Sequence, residues 1–451
     1  MITYSIIQKL QLEGAHRLDA EYYQPEYLEN AKRILTLSYE VKKFSDLASY
    51  ITNGHTPLHA DLSIGEVYFL TAEDVFDFFI DYGTAKRITE LASTTELKKT
   101  ILSNNDLLVT IKGRIGNAAV VYKLQQETNI NQDVARILVK KRVNPFYIAA
   151  FLNSRFGKLQ IERIATNQIN PFLGLGNLKE LLIPIIEQDK QQEIENLIKR
   201  GLDELEISRN FYSQAESLLL EELGLKDFEI EDDLSYIVNL SEIKSAHRAD
   251  AEYFQPKYDK LVERIKKYGA APLLDLVQNV AARFNPKPQP TKLFKYVELS
   301  NITSSVGMID GFSEVSGDEA PSRAKRVLKA NDVILSSVEG SLEKVALVGK
   351  EQEGYLASNG FFQFRSKDIL PGVLLVLAKS FILQMQFEKE TAGTILTAVP
   401  KEAVKNIIVP KINKPTQQKI ADLVQKSHQA RSKAKELLEQ AKQKVESLID
   451  G

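Results

Sequence analysis

The sequence predicts an α+β protein built as two pseudo-repeated mixed α/β domains, each followed by a long helix, with the two helices pairing as an antiparallel coiled coil. Three observations predict it: a ten-residue segment written twice, short β-type runs in the same order in both halves, and two long stretches with a narrow apolar seam.

The duplication is the firmest of these. His16-Arg17-Leu18-Asp19-Ala20-Glu21-Tyr22-Tyr23-Gln24-Pro25 returns 231 residues later as His247-Arg248-Ala249-Asp250-Ala251-Glu252-Tyr253-Phe254-Gln255-Pro256, identical at eight of ten positions. Further on, Asn105-Asp106-Leu107-Leu108-Val109-Thr110 is echoed by Asn331-Asp332-Val333-Ile334-Leu335-Ser336. Ile183-Pro184 is echoed by Val409-Pro410, and Gln191-Gln192-Glu193-Ile194 by Gln417-Gln418-Lys419-Ile420, both at a spacing of 226. The spacing drifts by only five residues over the unit, so few insertions separate the copies.

Each half opens on a Tyr-rich segment and continues with β-type runs punctuated by Gly, Asn and Pro: Leu107–Ile111, Ala118–Tyr122 and Val134–Val139, then Val333–Ser336 and Phe361–Phe364. One helical stretch is expected over Pro145–Ile164 and another over Pro371–Glu390. A strand ending near Pro184 or Pro410 then leads into the long helix. There Ile194, Leu197, Ile198, Leu202, Leu205, Tyr212, Ala215, Leu219 and Leu223 in the first copy, and Ile420, Leu423, Val424, Ala434, Leu437, Leu438, Ala441 and Val445 in the second, recur at three- and four-residue spacing. From Glu187 to Glu222 ten acids face four bases, whereas from Thr416 to Asp450 seven bases face five acids. Opposite charge and similar length favour pairing with each other; the competing placement is each helix on its own domain's core.

The chain has 451 residues, 43% hydrophobic and 26% charged, which calls for more than one core. No stretch is long and apolar enough to cross a membrane, Met1–Leu10 lacks the pattern of a signal peptide, and a cytoplasmic location is expected. The absence of cysteine excludes disulfides, thiolate metal sites and cysteine nucleophiles. Net charge is −2, yet Leu107–Arg163 carries ten bases against three acids, a local basic region of the kind that binds nucleic acid.

Two irregular α/β domains, each ending at a proline followed by a Gln-Gln helix, resemble the specificity subunits of type I restriction–modification enzymes. The resemblance rests on Ile183-Pro184-Ile185 with Gln191-Gln192-Glu193-Ile194, on Asp106–Thr110 followed by Gly113-Arg114-Ile115-Gly116 and Ala118–Val121, and on the twice-written opening. It implies a first target-recognition domain over 1–186 (with an N-terminal conserved segment 1–40), a first conserved helix over 187–226, a second recognition domain over 227–412 and a second helix over 413–451. It further implies a non-catalytic subunit whose domains each read one half of a split site on double-stranded DNA. Two adenine-methyltransferase subunits would dock on the helices and motor-nuclease subunits would join them. S-adenosylmethionine, ATP and Mg are expected on those partners, with no cofactor or metal on this chain. The second half departs from the pattern, with Glu339-Gly340-Ser341-Leu342-Glu343 in place of the Gly-Arg-Ile-Gly form.

Duplex reading calls for cations toward phosphates and for Arg, Asn, Gln, Ser or Thr toward base edges. The candidates in the first half are Asn53, His55, Thr56, Lys112, Arg114, Asn167 and Gln168. Those in the second are Arg283, Asn285, Lys287, Gln289, Ser337, Ser341, Lys389, Thr391 and Thr394. Gly54 and Gly113 would let the backbone approach phosphate. A catalytic reading finds little: His55 and His59 lack a third ligand, no phosphate-loop glycine motif is present, and Asn144-Pro145-Phe146 and Asn170-Pro171-Phe172 lack the second proline of the methyltransferase signature. The repeated His-Arg-x-Asp-Ala-Glu-Tyr is read as a structural bracket, its aromatic residues packing against the long helices. A helix seam of about 30 residues spans about 45 Å, which suits half-sites with a spacer of roughly five to eight base pairs. A coiled-coil scaffold that bridges proteins, and a duplicated enzyme, are the alternatives.

Overall fold

A computed structural model describes residues 4–9, 12, 17–57, 65–166, 169–228, 235–392 and 397–451. Two compact units divide the chain, 1–204 with 432–451 and 205–431.

Unit 1 holds β1 (Ala48–Asn53), β2 (Val67–Leu70), β3 (Lys86–Ile88), β4 (Leu107–Thr110), β5 (Ala118–Val120), β6 (Thr128–Ile130) and β7 (Val134–Val139). One antiparallel sheet has the order β1-β7-β4-β5, and a second has β3-β2-β6 with β2 and β6 parallel. Every residue of β4 is buried, so both faces of this largely apolar strand are covered. Helix α1 (Pro25–Leu35) starts on a proline that needs no hydrogen-bond acceptor. The expected helix over Pro145–Ile164 is instead two, α2 (Pro145–Asn153) and α3 (Arg155–Ile164), because Ser154 leaves helical geometry and its hydroxyl caps α3 at Gly157 N–H.

Unit 2 repeats the plan. Its strands are β8 (Val277–Asn279), β9 (Leu293–Val297), β10 (Ile302–Thr303), β11 (Met308–Ile309), β12 (Ser313–Ser316), β13 (Ala324–Val327), β14 (Val333–Ser336), β15 (Val345–Leu347), β16 (Leu356–Ser358) and β17 (Phe361–Ser366). One sheet runs β8-β17-β14-β15-β11-β10, the other β12-β9-β16-β13 with β9 and β16 parallel. The long helix α4 spans Gln188–Glu222, and α5 spans Pro256–Tyr268. The second expected long stretch also splits at a serine, Ser380, into α6 (Pro371–Lys379) and α7 (Phe381–Lys389). The last helix, α8, spans Lys414–Asp450.

α4 and α8 pair antiparallel in each unit. In unit 1, Glu193 meets Lys444 and Glu204 meets Lys433, acid on one helix and base on the other. In unit 2, Glu222 accepts from Thr416 at 3.3 Å, and the Ser208 and Ser427 hydroxyls donate to each other's backbone carbonyls at 2.8 and 2.7 Å. In unit 1, Gly201 makes room for a side chain of the other helix: a Cβ there would lie 2.8 Å from Leu438 Cδ2. The apolar seam supplies the rest: Tyr212, Ala215 and Leu219 of α4, Leu223 just after it, and Ile420 and Val424 of α8 belong to the core of unit 2.

The Gln-Gln motif has a local task. Gln191 accepts from Asn144 N–H at 2.9 Å and donates to Ile186 O at 2.8 Å, while Gln417 accepts from Leu370 N–H and donates to Ile412 O, both at 3.0 Å. A buried carboxamide thus ties the start of each long helix to the residue that begins α2 or α6.

The repeated opening is a cation–aromatic bracket. Arg17 lies 4.7 Å over the Tyr22 ring and Arg163 of α3 lies 4.3 Å from it; Arg248 and Lys389 do the same for Tyr253 at 4.5 and 5.1 Å. Arg17 also donates to Asp19, and Arg248 to Asp250, which holds both carboxyls below the usual aspartate range. The aromatics of the motif therefore meet cations of α3 and α7, correcting the expectation that they pack on the long helices. His16 lies outside the described residues.

Lys379 closes α6 in a dry place, donating to Ser304 O and lying 5.2 Å from the Tyr212 ring. Burial pushes its ammonium down from 10.5 to about 8. The folded state disfavours the charged form, so the destabilisation is complete below pH 8 and gone above 10.5. Stability of unit 2 is expected to rise between those values by on the order of 3 kcal/mol. Thermal melts at stepped pH check this, and Lys379→Met should flatten the rise.

Candidate nucleic-acid interface

Antiparallel order brings three strand ends together in unit 1. Asn53 at the end of β1 pairs with Ala135 near the start of β7, and Thr110 at the end of β4 pairs with Val134. The turn Asn131-Gln132-Asp133 between β6 and β7 therefore lies between the segment after β1 and the loop after β4. It is firmly held: Gly54 N–H donates to Asn131 O at 3.1 Å, Ile111 N–H to Asp133 O at 2.8 Å, and Asn131 Nδ2 to Asp133 Oδ2 at 2.9 Å.

The candidates gather on this turn. Asn53 Nδ2 donates to Gln132 O at 3.1 Å and Thr56 Oγ1 to Gln132 Oε1 at 2.8 Å. Lys112 Nζ is 3.9 Å from Asp133, and His55 is 3.9 Å from Glu96. Arg114 sits on the exposed loop that turns at Gly113 (φ 74°), its guanidinium 5.6 Å from the ring of Phe76, which stacks on Phe79. Nearby in sequence, burial pushes the Asp74 carboxyl above the usual aspartate range, against hydrogen bonds from Thr71 and Thr84. Lys112 bridges Phe172, which in turn bridges Thr166. Asn167, Gln168 and His59 lie outside the described residues. Gly54 serves the protein's own packing, since a Cβ there would meet Ile130 O at 1.8 Å.

Unit 2 builds the same frame. Ser336 at the end of β14 pairs with Phe361 at the start of β17, and the turn Ser358-Asn359-Gly360 occupies the place of 131–133. Ser337 donates to Gly360 O through both its N–H and its hydroxyl, each at 2.8 Å. Ser341 Oγ donates to Val338 O at 3.0 Å and pairs with Ser336 Oγ at 2.9 Å. Val338 bridges Ala398, which bridges Ala392, and each of these three follows its counterpart (Lys112, Phe172, Thr166) by 226 residues.

The other candidates divide. Arg283, Asn285, Lys287 and Gln289 are exposed on the segment between β8 and β9, where Lys287 N–H donates to Asn285 Oδ1 and Gln289 N–H to Pro286 O. That segment reaches the turn through β13 and the residue before it: Phe284 N–H donates to Lys325 O, and Arg323 O accepts from Asn359 N–H. Thr391 Oγ1 donates to Glu388 O at 2.7 Å, one residue before the bridge at Ala392. Lys389 turns to Tyr253 and to Asp259, at 3.1 Å. Thr394 lies outside the described residues. Reasoning from the sequence passed over Gln132, Asn359, Phe76 and Arg323. The cue was available for the first two, a polar turn between two β-type runs at the same place in each half.

No protein-family model matches the chain, and no curated protein matches it. Solved structures do. One is the HsdS subunit from Thermoanaerobacter tengcongensis, 30% identical over 34% of this chain and 40% of that one, with a TM-score of 0.32. Another is the S subunit of a type-I restriction-modification system from M. genitalium, 12% identical over 92% of this chain and 96% of that one, with a TM-score of 0.42. A third is the type IIG restriction endonuclease BpuSI, 10% identical over 43% of this chain and 30% of that one, with a TM-score of 0.33. Two of the three are S subunits. The chain spans less than half the length of the first. Among the described residues, no helix is long and apolar enough to cross a membrane.

Proposed function

We propose that this chain is the DNA sequence-specificity subunit of a type I restriction–modification complex. Each unit reads one half of a bipartite target, and the length of the long helices sets the gap at roughly five to eight base pairs. On this reading the chain performs no chemistry. Two adenine-methyltransferase subunits dock on its helices and motor-nuclease subunits join for cleavage, with S-adenosylmethionine, ATP and Mg on those partners.

The observation that carries the reading is one frame built twice with different tips. The strand order and the 112–172–166 bridges recur at a fixed spacing, yet Lys112 is replaced by Val338, Arg114 by Gly340, and Gln132 by Asn359. A duplicated enzyme would need the same reactive groups at both tips. Two readers of different half-sites need the frame kept and the tips changed. A scaffold would need neither turn.

Selection of duplexes from a random pool by the full chain tests this. Two short motifs at a fixed separation are expected, and a pool that enriches nothing would end the reading. Arg114→Ala is expected to weaken binding uniformly across sequences and to lower the slope of log affinity against log salt by about 1, measured by fluorescence anisotropy over a salt series. An unchanged slope would remove Arg114 from the interface.

A further inference from the structure

We propose that Gln132 and Asn359 are the adenine-reading side chains of the two units. The assignment rests on the DNA reading above and names one base contact in each half-site.

Both residues stand at the tip of the same turn, both are exposed, and both carry a carboxamide. A carboxamide presents one donor and one acceptor side by side. In the major groove that pair matches the N7 acceptor and N6–H donor of adenine; guanine offers two acceptors there and cytosine mainly a donor. The identity of the side chain changes between units while its chemistry does not, which is unusual at tips that otherwise diverge.

The surroundings are those of a reading residue. A base contact discriminates better when the backbone that presents the side chain is held before DNA arrives. In unit 1 the turn is fixed by Gly54, Ile111 and the mutual bonds of Asn131 and Asp133. Thr56 Oγ1 donates to Gln132 Oε1 at 2.8 Å, which restrains the amide. That oxygen retains a second lone pair and Nε2 both its protons, the set adenine requires. Lys112 stands beside the turn, near Asp133, where a phosphate contact would set the depth of approach. In unit 2, Asn359 N–H is tied to Arg323 O at 2.8 Å, Gly360 N–H to Ser358 Oγ at 3.1 Å, and Gly360 O to Ser337. Among the described residues none hydrogen-bonds the Asn359 carboxamide. The side chain is one methylene shorter than Gln132, so its reach differs but the hydrogen-bond code is the same.

The test repeats the duplex selection with full-length Gln132→Ala, Asn359→Ala and Thr56→Val. Gln132→Ala is expected to erase the preference for an A·T pair at one position of one half-motif, a discrimination of roughly 10- to 100-fold, and to leave the other half intact. Asn359→Ala should do the same in the other half. Thr56→Val should weaken discrimination at the Gln132 position by a smaller factor, since it removes only the orienting bond. The untouched half-motif reports that each variant is folded. A motif unchanged by both alanine variants overturns the assignment, as does loss at a G·C pair or loss of a whole half-motif in place of one base pair. A wild-type chain that enriches no motif overturns the DNA reading instead.

Discussion

Gly54→Ala is expected to destabilise unit 1 by about 3 kcal/mol, counting the overpacking and the hydrogen bonds it breaks, and to erase the half-motif read there. The added methyl would sit 1.8 Å from Ile130 O and 2.9 Å from Asn131 O, both backbone atoms in a held turn, so neither can swing aside as a side-chain end would. The segment after β1 has to lift instead. Lifting it breaks Gly54 N–H to Asn131 O and draws Asn53 and Thr56 away from Gln132. Gly113→Ala is the control. It also sits on the candidate face but has nothing within 4 Å of the new methyl, and costs only the left-handed φ of 74°, about 1 kcal/mol. Calorimetry on both variants, with hydrogen exchange over 50–56 and 130–134, reads the difference. Equal losses would mean that the turn does not depend on this close approach.

How much of this was legible without coordinates depends on the residue. Duplication, the strands at Leu107 and Val134 and the paired helices follow from pattern alone: the first from repeated residues, the strands from short apolar runs bounded by turn residues, the helices from a seam at three- and four-residue spacing. The breaks at Ser154 and Ser380 do not, since apolar residues continue on both sides and only the extended backbone of the serine reveals the corner. Composition offers Lys389 as a groove cation, but its counterpart 226 residues earlier is Arg163, and both lie over the bracket tyrosine. Comparing the halves position by position would have placed it. Gln191 and Gln417 announced themselves as a repeated pair without revealing that each is a buried tie between loop and helix. Gln132 and Asn359 were hidden for the opposite reason: they are a matched pair whose letters differ.

The same reasoning separates frame from tip in the repeated Asn-Asp. Asn105 and Asn331 both take left-handed backbone, at φ 72° and 70°, a conformation asparagine tolerates better than most residues. The aspartate that follows is buried against a cation of the neighbouring strand. Asp106 accepts from Arg136 Nε at 2.7 Å, and Asp332 accepts from Arg365 Nε and Nη2, both at 2.8 Å, and from Gln363 Nε2 at 2.7 Å. A basic residue in this part of the chain thus need not face DNA: Arg136 and Arg365 are committed to carboxylates that begin β4 and β14.

Asp332→Ala is therefore expected to be among the more damaging single changes, costing about 2–3 kcal/mol in unit 2. The carboxylate is only 1% exposed and receives three hydrogen bonds, so its loss leaves one Gln363 amide proton without an acceptor, the other staying on Val327 O at 3.0 Å, and removes the partner of a guanidinium that is itself partly covered. Asp106→Ala should cost less, because Arg136 keeps a second acceptor in Lys99 O at 3.0 Å. Replacing the pair together, Asp332→Leu with Arg365→Met, should recover much of the loss, since desolvating two charges offsets most of what their attraction contributes. Calorimetry on the single and double variants forms the cycle. If Asp332→Ala melts like the wild type, the ion pair does not anchor β14. If it melts early and the double variant does not recover, the contribution lies in the specific geometry of the three bonds. Because β14 leads directly into Ser337 and the turn it holds, the single variant should also lose sequence selection in the half-motif that Asn359→Ala alters and spare the half that Gln132→Ala alters.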